Sequence, residues 1–116
     1  MAYSEVLASR IRAILAESTG ISEKRMFGGL CFLKDGHMFV GLTAKDLMAR
    51  VGKDAYAASL ARRHVREMDF TGKPMAGYVF VNEKGLAKDA ELEFWVRHCE
   101  QFATTLPPKT KKLTPR

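Results

Sequence analysis

The chain has 116 residues, of which 47% are hydrophobic and 28% are charged, and its formal net charge is +6. This length allows one hydrophobic core but not two, so we expect a single domain. No apolar run approaches the roughly 18 residues that a transmembrane helix needs. The first ten residues also lack the basic flank and apolar centre of a secretion signal. We therefore expect a cytoplasmic protein with no membrane association.

The positive charge is concentrated at one end of the sequence. Residues 107–116 hold four of the 19 basic residues, none of the 13 acidic residues and three of the four prolines. The remaining body is nearly balanced, with 15 basic and 13 acidic residues. We expect a globular domain over residues 1–106 and a disordered basic tail over residues 107–116. Such a tail either binds a polyanion or only increases solubility.

Taken in chain order, the hydrophobic pattern begins with a helix and changes to strands. Apolar residues at helical spacing predict a first helix from about Ser4 to Ser18, with Ser4 as its N-cap. The segments "RMFGGLCFL" and "HMFVGL" predict two strands joined at Asp35-Gly36. This dipeptide favours a tight hairpin turn in which both residues have positive φ. A third strand is predicted over "DLMARV".

The second half of the sequence continues with a helix, two strands and a final helix. A short helix over "KDAYAASLARR" is predicted to begin at an Asp54 cap. The segments "HVREMDF" and "GYVFV" predict strands, and an apolar stripe predicts a last helix from about Asp89 to Thr105. The resulting order, αβββαββα, is that of an α+β domain with helices packed on a mostly antiparallel sheet.

The predicted hairpin places its side chains on two faces. A two-residue turn pairs Lys34 with His37 and Phe32 with Phe39. Cys31 then lies on the opposite face from His37, so the two side chains cannot bind one metal ion. Both faces carry large apolar residues, and both need covering. The second face is covered by the chain's own helices, by a partner protein or by a second copy of the chain.

No arrangement of residues in the sequence indicates catalysis. Gly72-Lys73 is followed by Pro74 where a phosphate-binding P-loop needs Ser or Thr. Cys31 and Cys99 are far apart and are expected to be two buried free thiols. We expect a protein that is not an enzyme and that has no cofactor and no metal site.

Several segments of the sequence together resemble a known protein family, which reduces the number of functions to consider. The segment "KRMFGGLCFLKDGHMFVGL" (24–42), followed by "DLMARVG", "GKPMAGYVFV" and a last helix that contains Trp95, resembles the N-terminal domain of the TfoX/Sxy family. The similarity covers about residues 3–106. In that family, two-domain members are bacterial regulators of competence (DNA-uptake) genes, thought to act with the cyclic-AMP receptor protein at promoters. The resemblance implies a stand-alone N-terminal domain with a basic tail in place of the second domain.

Two hypotheses of function follow. The first is a regulatory module that binds a protein partner, such as a component of the transcription machinery, with a homodimer left open. Its predicted contact residues are Phe27, Phe32, Phe39, Lys73 and Met75.

The alternative is non-specific, salt-sensitive binding of nucleic acid through the tail and a basic cluster beside the second helix. A cation at a helix end also complements the helix dipole, so this cluster has a structural explanation as well. The residues predicted for this role are Arg62, Arg63, Arg66, Lys109, Lys111 and Lys112.

Overall fold

The computed structural model describes residues 3–26, 29–69 and 74–106. Three α-helices, six strands and a short 3₁₀ helix (Glu83–Leu86) are formed within these ranges. The helices are α1 (Glu5–Ile14), α2 (Tyr56–Leu60) and α3 (Asp89–Thr104). The strands are β1 (Ile21–Met26), β2 (Gly29–Lys34), β3 (His37–Leu42), β4 (Asp46–Arg50), β5 (Val65–Asp69) and β6 (Pro74–Asn82).

The strands form a single sheet in the order β1-β2-β3-β4-β6-β5, and each neighbouring pair is antiparallel. The predicted α+β class and the alternation of helices with strands are therefore confirmed. One strand more than predicted is present, because the segment that precedes the Asp35-Gly36 turn forms two strands instead of one. Residues 21–26 pair with residues 29–34 over their whole length.

Gly29 begins the second of these strands in a position that excludes any side chain. A Cβ atom there would lie 1.9 Å from the Leu42 carbonyl oxygen, far inside van der Waals contact. Two backbone segments therefore approach each other closely at Gly29. The preceding residue, Gly28, lies outside the described residues.

The β2–β3 hairpin has the predicted turn but a different register. Asp35 and Gly36 have φ values of 50° and 87°, and Leu33 pairs with Met38 as expected. The register then shifts, and Phe32 pairs with Val40 rather than with Phe39. The predicted pairing of Phe32 with Phe39 is wrong because a β-bulge inserts one residue into β3. As a result Val40 lies on the same face as Phe32 instead of the opposite face.

All three helices cover the same face of the sheet. Buried side chains of α1 and α3 share one core with residues of β2, β3, β4 and β6, and the half-buried Tyr56 and Leu60 of α2 pack against this core. Largest among the fully buried residues are Phe32 and Phe39, with Ile11 of α1 and Leu92 of α3 packed in the same cluster. This arrangement places α3 directly behind the centre of the sheet, where it contacts β3 and β4.

The helix ends agree in part with the sequence pattern. Ser4 caps α1 through a 3.1 Å hydrogen bond from the Leu7 N–H to its side-chain oxygen, as predicted. The helix ends at Ile14, four residues earlier than expected. Arg97 of α3 donates a hydrogen bond to the Ile14 carbonyl oxygen at 2.8 Å, which connects the last turn of α1 to α3. Asp54 does not cap α2: the N-cap is Ala55, and no side chain caps that helix.

The opposite face of the sheet is filled locally by its own side chains. A row of paired residues, Cys31, Gly41, Met48 and Phe80, crosses four strands on that face. A Cβ atom on Gly41 would lie 3.1 Å from both the Cys31 sulfur and the Met48 methyl group. The two sulfur-containing side chains therefore occupy the space above Gly41, and each is 3% exposed.

In the ranges that the structure describes, no helix is both long enough and apolar enough to cross a membrane.

Candidate binding sites

A cavity of about 640 Å³ opens between the ends of β4 and β6 and the second half of α3. Gly52 and Gly77 line this space and have φ values of +88° and +91°, a backbone conformation that favours glycine. The N–H groups of Val51 and Gly52 both donate to the Gly77 carbonyl oxygen, at 2.8 and 3.1 Å, and this fixes the turn. We call this space the α3 cavity.

The walls of the α3 cavity are mainly aromatic and aliphatic. The Arg50 guanidinium lies 5.5 Å from the ring centroids of both Tyr78 and Phe102, so one cation bridges two aromatic walls. Arg50 is held in place by a 3.4 Å hydrogen bond to the Met38 carbonyl oxygen. The mouth carries exposed polar side chains from both sides. These are Lys53, Asp54, Gln101 and Thr105.

His98 lies at the wall of the same cavity. Its ring stacks on Phe94, with centroids 5.9 Å apart, and the residue lines the α3 cavity. The Nε2 atom is buried and has no hydrogen-bond partner among the described residues. Buried polar atoms of folded proteins are nearly always paired. The cavity therefore has mainly apolar walls, and the residue beside it has a buried nitrogen without a partner among the described residues.

A second, basic cleft of about 500 Å³ lies near the start of α3. Its floor is Trp95, and the loop from α2 to β5 forms one side. The opposite side is the segment that joins β6 to α3. We call it the basic cleft, and its charged and titratable lining residues are Arg62, Arg63, His64, Lys84, Lys88 and Glu91.

Among the residues that the structure describes, no group of three or more His, Cys, Asp or Glu side chains is placed to hold a metal ion. Cys31 and Cys99 are free and buried, as predicted. Burial raises the pKa of both thiols above its usual value of 9, and most strongly that of Cys99, despite a hydrogen bond with the Arg50 backbone. Neither thiol has the environment of a reactive cysteine.

The sequence matches one known protein family. The TfoX N-terminal domain profile matches residues 13–103, which is most of the sequence. The chain belongs to the TfoX N-terminal domain family. Comparison with curated proteins and with solved structures gave no match.

Two of the five residues predicted to bind a protein partner lie in the core of this TfoX domain. Phe32 and Phe39 are 1% and 0% exposed and belong to the core. They cannot contact a partner in the folded protein, because the chain's own helices cover them. Phe27 and Lys73 lie outside the described residues, and the side chain of Met75 does as well. The strand that contains Met75 continues into Gly77 and Tyr78, which line the α3 cavity.

The three described arginines that were predicted to bind nucleic acid are separated by the fold. Arg62 and Arg63 come together in the basic cleft. Arg66 pairs with Phe80, on the face of the sheet opposite the helices, and its guanidinium donates to the Asp46 carboxylate at 2.7 and 3.2 Å. That hydrogen bond raises the pKa of Arg66. Lys109, Lys111 and Lys112 lie outside the described residues.

Sequence reasoning missed the lining of the α3 cavity. Arg50 and Tyr78 are directly paired on β4 and β6 but lie 28 positions apart in the sequence, and Phe102 comes from the last helix. A usable signal was present at Gly52 and Gly77, since a glycine directly after or within a strand often marks a turn or a close backbone approach.

Proposed function

We propose that this chain is a small regulatory binding module, and not an enzyme, that acts in transcription by docking on a protein partner. Its family supports a competence-regulator-like role. The observation that carries the docking proposal is the α3 cavity itself, an open space of about 640 Å³ with the rings of Tyr78 and Phe102 in its walls. A concave apolar space with few polar groups is the usual form of a binding pocket.

The lining of the α3 cavity defines the partner segment by its chemistry. An apolar side chain fits between the rings of Tyr78 and Phe102, where it replaces water at an apolar surface. The exposed Lys53 and Asp54 at the mouth can contact further residues of the same segment. The expected occupant is therefore a short segment of a protein with an apolar anchor and adjacent polar groups.

The docking proposal is tested by filling the cavity from its rim. Ala76 is exposed and lines the α3 cavity, so Ala76→Trp places an indole in the space without disturbing the core. Ala44→Trp adds the same side chain at an exposed position that does not line the cavity. The full-length chain and both variants would be used for affinity capture from the native cell extract after nuclease treatment.

The expected result is a protein retained by the unmodified chain and by Ala44→Trp, and lost with Ala76→Trp. A partner retained equally by all three proteins would contradict the assignment of the cavity. Retention that disappears with nuclease would contradict protein docking itself. The regulatory part is tested separately by transcript profiles of cells that lack the chain. The proposal expects Ala44→Trp to restore the profile and Ala76→Trp to leave it unrestored.

A further inference from the structure

The basic cleft collects cations that have no acidic partner. Four of the arginines elsewhere in the described residues are paired with carboxylates at distances of 2.7 to 3.1 Å. The paired arginines are Arg10, Arg12, Arg66 and Arg97. Within the same part of the chain, none of the four Lys and Arg residues of the cleft forms an ion pair. One carboxylate, that of Glu91, faces these four cations, so the cleft carries a surplus of positive charge.

Arg62, which lines the cleft, packs against two aromatic rings. The Arg62 guanidinium lies 4.2 Å from the Phe94 ring centroid and 5.4 Å from that of Trp95. Stacking of this kind orients the planar guanidinium and leaves N–H groups at its edge available. Arg62 is therefore held for bidentate hydrogen bonding to an oxyanion, unlike a flexible surface lysine.

The loop that carries Arg63 and His64 is also fixed by the backbone. His64 has a φ of +66°, which is uncommon for any residue but glycine. Its carbonyl oxygen accepts from the Asn82 N–H at 2.8 Å, and its Cβ would lie 3.0 Å from a Cβ on Gly85. Across the cleft, the Asn82 side chain accepts from the Lys84 N–H at 3.0 Å. The two sides of the cleft are thus joined through Asn82.

We infer that the basic cleft binds phosphate groups. Two arginines supply forked donors, and Lys84 and Lys88 supply point charges, which is the donor set that phosphate oxygens prefer. The phosphates come either from a nucleic-acid backbone or from a small phosphorylated molecule.

This inference is independent of the docking proposal, because the basic cleft and the α3 cavity share no lining residue. The test uses the double variant Arg63→Glu with Lys84→Glu, both at exposed positions. Its control, Lys24→Glu with Arg25→Glu, makes the same change in net charge at exposed positions of β1 that do not line the cleft. Arg62 is left intact because its stacking also contributes to packing.

The first arm measures fluorescence anisotropy of a labelled 20-base-pair DNA duplex against the full-length proteins over a series of salt concentrations. Loss of two phosphate contacts reduces the slope of log K against log salt by about 1.8. The cleft variant is expected to bind at least 10-fold more weakly than the β1 control at low salt. Equal affinity and equal slope for the two variants would exclude the backbone of nucleic acid as the ligand.

The second arm titrates inorganic pyrophosphate and follows the emission of Trp95, which is the single tryptophan of the chain and the floor of the cleft. A change in emission that saturates with the β1 control and is absent from the cleft variant supports a phosphate site. If this response is present and duplex binding does not distinguish the variants, the phosphate source is a small molecule. Failure of both probes to distinguish the two variants overturns the inference.

Discussion

Replacing Glu100 with glutamine tests a buried charge cluster that joins β2 to α3. Glu100 is 8% exposed, and its carboxylate lies 3.6 Å from the Lys34 Nζ and 3.1 Å from the Arg97 guanidinium. Lys34 also donates to the Thr19 carbonyl oxygen at 2.6 Å. The substitution keeps the shape of the side chain but removes its negative charge, so Lys34 keeps its charge and is left with only a neutral partner.

Removing one member of a buried ion pair costs about 3–5 kcal/mol. Because Lys34 keeps the Thr19 carbonyl and glutamine can still accept a hydrogen bond, we expect Glu100→Gln to lower the free energy of unfolding by about 2 kcal/mol. The Tm then falls by about 8 °C. Glu93→Gln is the matched control: it is on the same helix and contacts the same Arg97 at 3.8 Å, but its side chain is 57% exposed. Its expected loss is below about 0.5 kcal/mol.

The effect of Glu100→Gln depends on pH in a defined direction. Burial raises the pKa of Glu100, but hydrogen bonds from Ser18 and Arg97 and the charges of Lys34 and Arg97 outweigh burial, so the pKa lies below its usual 4.5. A carboxyl group with a lower pKa in the folded state stabilises the fold above its unfolded pKa and loses that contribution as the pH falls. The stability difference from wild type should be constant between pH 5 and pH 7 and shrink below pH 4.5.

Guanidinium denaturation of wild type and both variants between pH 3.5 and pH 7 measures these differences. Equal losses for Glu100→Gln and Glu93→Gln would show that burial of the cluster does not matter. A deficit that stays constant below pH 4.5 would show that the charge of Glu100 is not what stabilises the fold.

Three further predictions concern packing. Phe32→Ala should lower the free energy of unfolding by about 3–5 kcal/mol in chemical denaturation, because it leaves a cavity at the centre of the core. A loss below about 1 kcal/mol would show that Phe32 does not belong to the core. Gly52→Ala should cost about 2 kcal/mol in the same assay, since φ is +88° and the new Cβ would lie 2.6 Å from the Phe102 ring; unchanged stability would refute that backbone geometry. Cys31 and Cys99 should not react with a chromogenic disulfide reagent in the native protein, because burial raises the pKa of both thiols. Both should react after unfolding. Rapid reaction of the native protein would contradict their burial.

The hairpin shows what local sequence determines and what it does not. Asp35-Gly36 predicted the turn correctly because positive φ at two consecutive positions is a local property of those residues. The β-bulge at Phe39 was not predictable, because an extra residue in β3 has no local signature here. The bulge contributes to tertiary packing, because it lets both Val40 and Phe32 face the helices. A shift of one residue reverses the face of every later side chain.

The same distinction explains the candidate sites. The neighbouring cations Arg62 and Arg63 were predicted to act together, and sequence proximity was sufficient for that. Arg66 is only three residues further on, but strand alternation directs it to the other face, where it contacts Asp46. The α3 cavity needs β4, β6 and α3 to meet, so its lining could not be predicted without the fold.

Phe94 gives the two sites a shared component. Among the described residues it is one of two large hydrophobic residues with high exposure, yet its ring supports the Arg62 guanidinium of the basic cleft and stacks on His98 of the α3 cavity. A ligand that drew Arg62 away from Phe94 would remove one contact of the ring on which His98 stacks. Any resulting change in affinity is reciprocal, because linkage gives each ligand the same coupling free energy for the other. One exposed aromatic ring on α3 would then let occupancy of one site change the affinity of the other.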